Sequence, residues 1–127
     1  MPEVAPIQVQ VTQAQIDAYA AASGDHNLVH VDEAFARTTP MGGTIAHGML
    51  VLAFISDMMT RAFGRAWLES GRLDVRFRAP ARPGDTVTAR AAPAGGSGGL
   101  LTYRVECVNQ AGEVVINGTA TVREAED

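Results

Sequence analysis

One cysteine, Cys107, is all the thiol chemistry this 127-residue chain carries, so no disulfide can close within it. That fits a reducing compartment, and the cytoplasm is the expected location. Cys107 lies in an alternating strand pattern and reads as a small buried hydrophobe, not a nucleophile. Positive charge is scarce: 10 Lys and Arg stand against 14 Asp and Glu, a net of −4. This argues against the broad basic face that nucleic-acid phosphates demand. Met1-Pro2-Glu3-Val4 has neither the charged start nor the apolar core of a leader, so none is expected. No run has the length and purity of a membrane span, which needs about 20 predominantly apolar residues. The nearest, Ile45 to Phe63, carries His47, Ser56, Asp57, Thr60 and Arg61, and reads as a buried core helix. Ser23 and Ser56 lack a Gly-x-Ser-x-Gly context, and Gly95–Gly99 has no Lys-Ser/Thr ending, so neither a nucleophile elbow nor a P-loop is present. No histidine or cysteine spacing matches a metal motif.

What remains is an ordinary globular composition, 46% hydrophobic and 19% charged, in a length that suits one domain over 1–127. Ile7, Val9 and Val11 alternate as a half-buried strand. Thr12 with Gln15 forms a capping-box pattern opening a helix to Ala22, which Ser23-Gly24 stops. Residues 24–30 then read as a loop, Asp32 caps a short helix to Arg37, and 38–44 is a second loop. Ile45 to Phe63 is the longest helix, apolar nearly all round, with Gly64 at its end. After Trp67 the period becomes two, in strands over 72–79, 86–91, 101–109 and 114–122, with 95–99 a flexible connection and 124–127 a frayed acidic tail. Four consecutive strands imply an antiparallel meander. One all-round apolar helix beside one sheet implies an α+β domain wrapped on that helix, with open edges that dimerisation commonly pairs.

Asp25 and His30 are the first chemical candidates. An imidazole can take a proton from a water that a carboxylate orients; the plain alternative is a turn pair and a packed histidine. Gly48 opens the long helix, where free N–H groups and a partial positive charge make it a candidate oxyanion donor; close helix packing is the alternative. His47 beside it reads as a helix-start histidine bonded to backbone. Arg72, Arg76 and Arg78, with Arg82 just beyond, form a stripe that is either a solvated face or a set of phosphate contacts.

Tyr19-Ala-Ala-Ala-Ser-Gly-Asp-His-Asn-Leu-Val-His30 resembles the Gly-Asp-x-Asn-Pro-hydrophobic-His signature of the MaoC-like, (R)-specific enoyl-CoA hydratases. Ile45-Ala-His-Gly-Met-Leu50 is similar to the family's second block, and Arg76 to Asp85 to its strand and turn after the central helix. The resemblance spans residues 8–122 and implies a dimeric hot-dog fold. It implies reversible hydration of a trans-2-enoyl thioester, on CoA or acyl-carrier protein, to the (R)-3-hydroxyacyl thioester, with no metal or redox cofactor. Carried over, Asp25 and His30 activate the water and Gly48 N–H binds the thioester oxygen. Asn27 fixes the loop and Ser56 supports the pair. A homodimer or higher homo-oligomer is implied, without nucleic acid or membrane as partner. Leu28 departs from the signature's proline. Two other readings stay open: an acyl-CoA thioesterase of the same fold and a non-catalytic partner subunit.

Overall fold

Thr12 closes the capping box the sequence announces: its hydroxyl accepts from the Gln15 N–H at 3.1 Å, and the Gln15 side chain accepts from the Thr12 N–H at 3.2 Å. This starts α1 (Gln13–Ser23), which Gly24 ends in a left-handed conformation at φ 79°. The computed structural model, which describes residues 1–124, places α1 after β1 (Ile7–Gln10). Of the acidic tail, 125–127 lie outside the described residues, and the Glu124 N–H is bonded to the Gly99 carbonyl at 2.7 Å.

Two short helical turns follow, α2 (Leu28–Val31) and α3 (Glu33–Ala36), capped by Asn27 and Asp32. The first corrects the expected 24–30 loop: Asn27 accepts from the Val29 N–H and winds 28–31 into a turn. The long helix α4 (Gly48–Phe63) begins three residues later than Ile45, because the Ile45 and Ala46 N–H groups bond outward to Val29 and Ala81 carbonyls. Gly64 ends α4, and a further turn, α5 (Arg65–Ser70), was not expected from the sequence. The strands are β2 (Arg72–Phe77), β3 (Thr86–Ser97), β4 (Leu100–Val108) and β5 (Val114–Arg123).

The five strands form one sheet in the order β1-β3-β4-β5-β2, antiparallel at every junction. The meander is therefore β3-β4-β5 alone. β2 pairs with β5, not with its successor, because the segment through Pro80 and Pro83 leads the chain across to the opposite side of the sheet. β3 also runs on through the expected flexible connection and pairs with β4 as far as Ser97. The sheet lies against α4, whose Val51, Phe54, Ile55, Met58 and Met59 meet Val87, Ala89, Tyr103, Val105, Ile116 and Ala120 in one apolar core. A long helix wrapped by an antiparallel sheet is the hot-dog arrangement. Among the described residues, no helix is long and apolar enough to cross a membrane.

Cys107 is part of this core at 0% exposure, and burial pushes its thiol up to about 12. Near neutral pH it stays a protonated, enclosed thiol. Native protein is expected to resist iodoacetamide, and denaturant to release one equivalent of labelling, counted by intact mass.

Candidate active site

The loop after α1 is built from its own polar side chains. The Asp25 N–H donates to Ser23 Oγ at 3.1 Å, the Asn27 N–H to Asp25 Oδ1 at 3.2 Å, and the Val29 N–H to Asn27 Oδ1 at 3.2 Å. Each is a short-range turn that competes well with helix, which is why α1 stops here. One oxygen of Asp25 is engaged in its turn, and the residue is exposed.

His30 sits on α2, half-buried, with Nδ1 2.8 Å from the Ile45 carbonyl oxygen. A carbonyl only accepts, so that nitrogen carries a hydrogen, and in the neutral ring the lone pair is on Nε2. The backbone of His30 is held too: Gln13 Nε2 donates to its carbonyl at 2.8 Å. Thr44 Oγ1 lies 2.8 Å from Gln13 Oε1 and 3.0 Å from Glu33 Oε2, sharing its single hydrogen between them. Donation from the Thr44 N–H, and then from Arg37, holds Glu33 below its ordinary value of 4.5. A lowered carboxyl contributes stability above its ordinary value and loses it as pH falls through the lowered one. Wild type is therefore expected to melt higher than Glu33→Gln at pH 6, with the two midpoints converging well below pH 4.5, read by thermal melts across an acid series.

Gly48 is exposed at the first position of α4. The first intrahelical donors are Leu50 and Val51, both to the His47 carbonyl, so the Gly48 N–H has no partner within the helix. A Cβ at Gly48 would stand 2.9 Å from Phe77 Cε1, so any larger residue there displaces the exposed Phe77 ring.

The structure brings Asp25, His30 and His47 together, with one polar atom of each lying within 4.8 Å of the others. These are also the described residues placed to hold a cation, although Nδ1 of His30 and Nε2 of His47 already face backbone carbonyls. His30 and Gly48 open onto a cleft of about 330 Å3 whose remaining walls include Met41, Val51, Phe77, Val115 and Ile116. Arg78 lines this cleft, its Nε donating to Asn117 Oδ1 at 3.0 Å. Arg76 and Arg82 do not line it, so the stripe contributes one arginine. Ser56 is not brought to the pair. It lies two turns along α4, where its hydroxyl accepts from Trp67 Nε1 at 3.0 Å and secures α5. A larger hollow of about 490 Å3, between Glu69, Arg72 and Arg123, contains Arg72 of the stripe but none of Asp25, His30, Gly48, Asn27 or Ser56. Sequence reasoning missed Gln13 and Thr44, whose contact across 31 positions has no local signature.

Leu28 occupies the first position of α2, after Asn27 at φ −54° and ψ 131°. That N–H is a helix orphan, and Asn27 already has the extended backbone that proline imposes on its predecessor. The usual proline thus fits without change. Leu28→Pro is expected to add about 0.5 kcal/mol of stability through the unfolded chain, measured by denaturant titration.

Comparisons with known proteins agree with this geometry. The family profile described as MaoC like domain matches residues 2–126. The chain is 40% identical over 115 residues to the (R)-specific enoyl-CoA hydratase of Rhodospirillum rubrum, covering 88% of this chain and 78% of that one. It is 32% identical over 119 residues to the 3-hydroxybutyryl-CoA dehydratase of Methylorubrum extorquens, covering 92% and 75%. Among solved structures, the (R)-hydratase of Aeromonas caviae superposes with a TM-score of 0.85 at 27% identity, covering 98% of each chain. R-hydratase PhaJ1 of Pseudomonas aeruginosa does so at 0.88 and 28%, covering 100% of this chain and 84% of that one. With the wrapped helix, the Asp25–His30 loop and the Gly48 helix start all in place, the chain belongs to the MaoC-like family.

Proposed function

We propose that this chain hydrates trans-2-enoyl thioesters to (R)-3-hydroxyacyl thioesters, and dehydrates them in reverse. The observation that carries the reading is the meeting of Asp25 and His30 beside an apolar cleft that also holds the Gly48 N–H. Adding water to C3 of an enoyl thioester moves negative charge onto the thioester oxygen. The reaction needs a proton-handling pair and an oxyanion donor, not a nucleophile. Nε2 of His30 takes a proton from water as the water oxygen bonds to C3. Asp25 holds that water through its free oxygen, and the Asp25–His30 pair returns a proton to C2 on the same face. The Gly48 N–H binds the oxygen on which enolate charge develops, aided by the positive end of α4. The enoyl chain lies along Val51, Val115 and Ile116, and Arg78 meets a phosphate of the carrier.

The proposed reaction uses no metal or redox cofactor. β1 and β2 are the open edges of the sheet, and Met49 and Phe77 are exposed apolar residues, which together favour a homodimer. A free, enclosed Cys107 accords with the cytoplasm. Incubation with crotonyl-CoA, followed by loss of the enoyl absorbance and chiral analysis of the product, is the test. An (R)-3-hydroxy product supports the reading. Free thiol released from saturated acyl-CoA, with no loss of enoyl absorbance on any chain length, overturns it in favour of a thioesterase.

A further inference from the structure

His47 touches both members of the Asp25–His30 pair. Its Nε2 lies 2.9 Å from the Asp25 carbonyl oxygen, so that nitrogen carries a hydrogen and ties down the loop that bears the carboxylate. Its ring stacks on His30, with centroids 3.9 Å apart and planes 25° from parallel. On its own account the ring is anchored: Tyr19 packs against it at 4.7 Å, and the residue is 2% exposed. Its chain position is fixed from outside, because the preceding Ala46 N–H bonds to the Ala81 carbonyl at 2.8 Å and its own carbonyl receives the first helical bonds of α4.

The remaining nitrogen, Nδ1, is buried without a hydrogen-bond partner among the described residues. A buried acceptor left unpaired costs stability. An apolar ring of similar shape would fill the site without that cost. The N–H toward Asp25 is the one interaction in this environment that a phenyl ring could not supply.

Resting on the hydratase reading above, we infer that His47 is a positioning residue for the reaction: its N–H fixes Asp25 at the distance from His30 at which both reach one water. It touches no reacting atom. Its effect passes through Asp25, and it therefore belongs to kcat and not to substrate binding.

Three variants test this with crotonyl-CoA kinetics and thermal melts. His47→Phe keeps the stack and removes both nitrogens. Its kcat is expected to fall about 10- to 100-fold, as small misplacement of a reacting group does, with KM unchanged and the melting midpoint held or raised. His47→Gln, whose amide can donate to the same carbonyl, is expected to recover most of the loss. In an Asp25→Asn background, His47→Phe is expected to add little, because the group it positions is already disabled. Wild-type kcat in His47→Phe overturns the inference, as does a loss of full size in the Asp25→Asn background, or a loss of kcat that only tracks a fall in melting midpoint. A wild-type chain inactive on every enoyl-CoA overturns the hydratase reading first, a failure visible before any variant is compared.

Discussion

Asp25→Asn is expected to lower kcat for crotonyl-CoA hydration about a thousandfold, within the range that a positioned acid–base group contributes. An asparagine at this position retains the oxygen that accepts from the Asn27 N–H, so the turn survives and only the charge is lost. The melting midpoint should stay near that of wild type. His30→Ala should lose as much activity, together with some stability, since it also abandons the Ile45 carbonyl and the stack with His47. The two losses should not multiply in the double variant, because in the proposed reaction both residues act on one water. Steady-state kinetics on enoyl-CoA decide the matter: a loss below about tenfold in both single variants would remove the pair from the chemistry.

Gly118→Ala is expected to be the most damaging conservative change to the fold. Gly118 pairs with Val75 on one side and Val105 on the other, on β5 between the edge strand β2 and the central strand β4. A Cβ there would clash with the Asp74 carbonyl oxygen and stand 2.6 Å from Val75 Cα. These are backbone atoms and cannot rotate away. The strand must shift, at about 3 kcal/mol if the overpacking range applies, which in a chain of this size lowers the melting midpoint by about 10 °C. The displaced strand is β2, whose end carries Phe77 and leads into Arg78, so the cleft wall moves with it. A melt within about 2 °C of wild type would show that the sheet absorbs the methyl group.

The strands and the longer helices were legible because each rests on local chemistry (Thr12 with Gln15, the period-two runs, and the apolar face of α4), while the short turns α2 and α5 were not. The pairing of β2 with β5 was not, since alternation marks a strand without naming its partner. Nor was the start of α4. Ile45 and Ala46 are apolar like the helix after them, and only their hydrogen bonds to Val29 and Ala81 pull them out of it. Asp25, His30 and Gly48 stood out as candidates by residue type and by the resemblance, and the structure brings Asp25 to His30 and sets His30 and Gly48 on one cleft. The Ser56 hydroxyl, to which the resemblance gives a supporting role, is bonded to Trp67, a residue the sequence placed outside any helix. His47 was read as a helix-start histidine bonded to backbone, and it is one. That its partner would be the carbonyl of Asp25 is a fact about two loops 22 positions apart.

The extended Ile45-Ala46-His47 segment does two jobs at once. Its first carbonyl receives the Nδ1–H of His30, and its last residue leads directly into the Gly48 N–H. The two groups that the proposed reaction uses as base and oxyanion donor are thus both referred to one short piece of backbone, the His30 ring by a hydrogen bond and the Gly48 N–H by the chain itself. A conjugated enoyl thioester is flat from C3 to its carbonyl oxygen, with two planar conformers about the C1–C2 bond. In the proposed reaction this common reference selects one of those conformers, and a displacement of the 45–47 segment is expected to carry both groups with it.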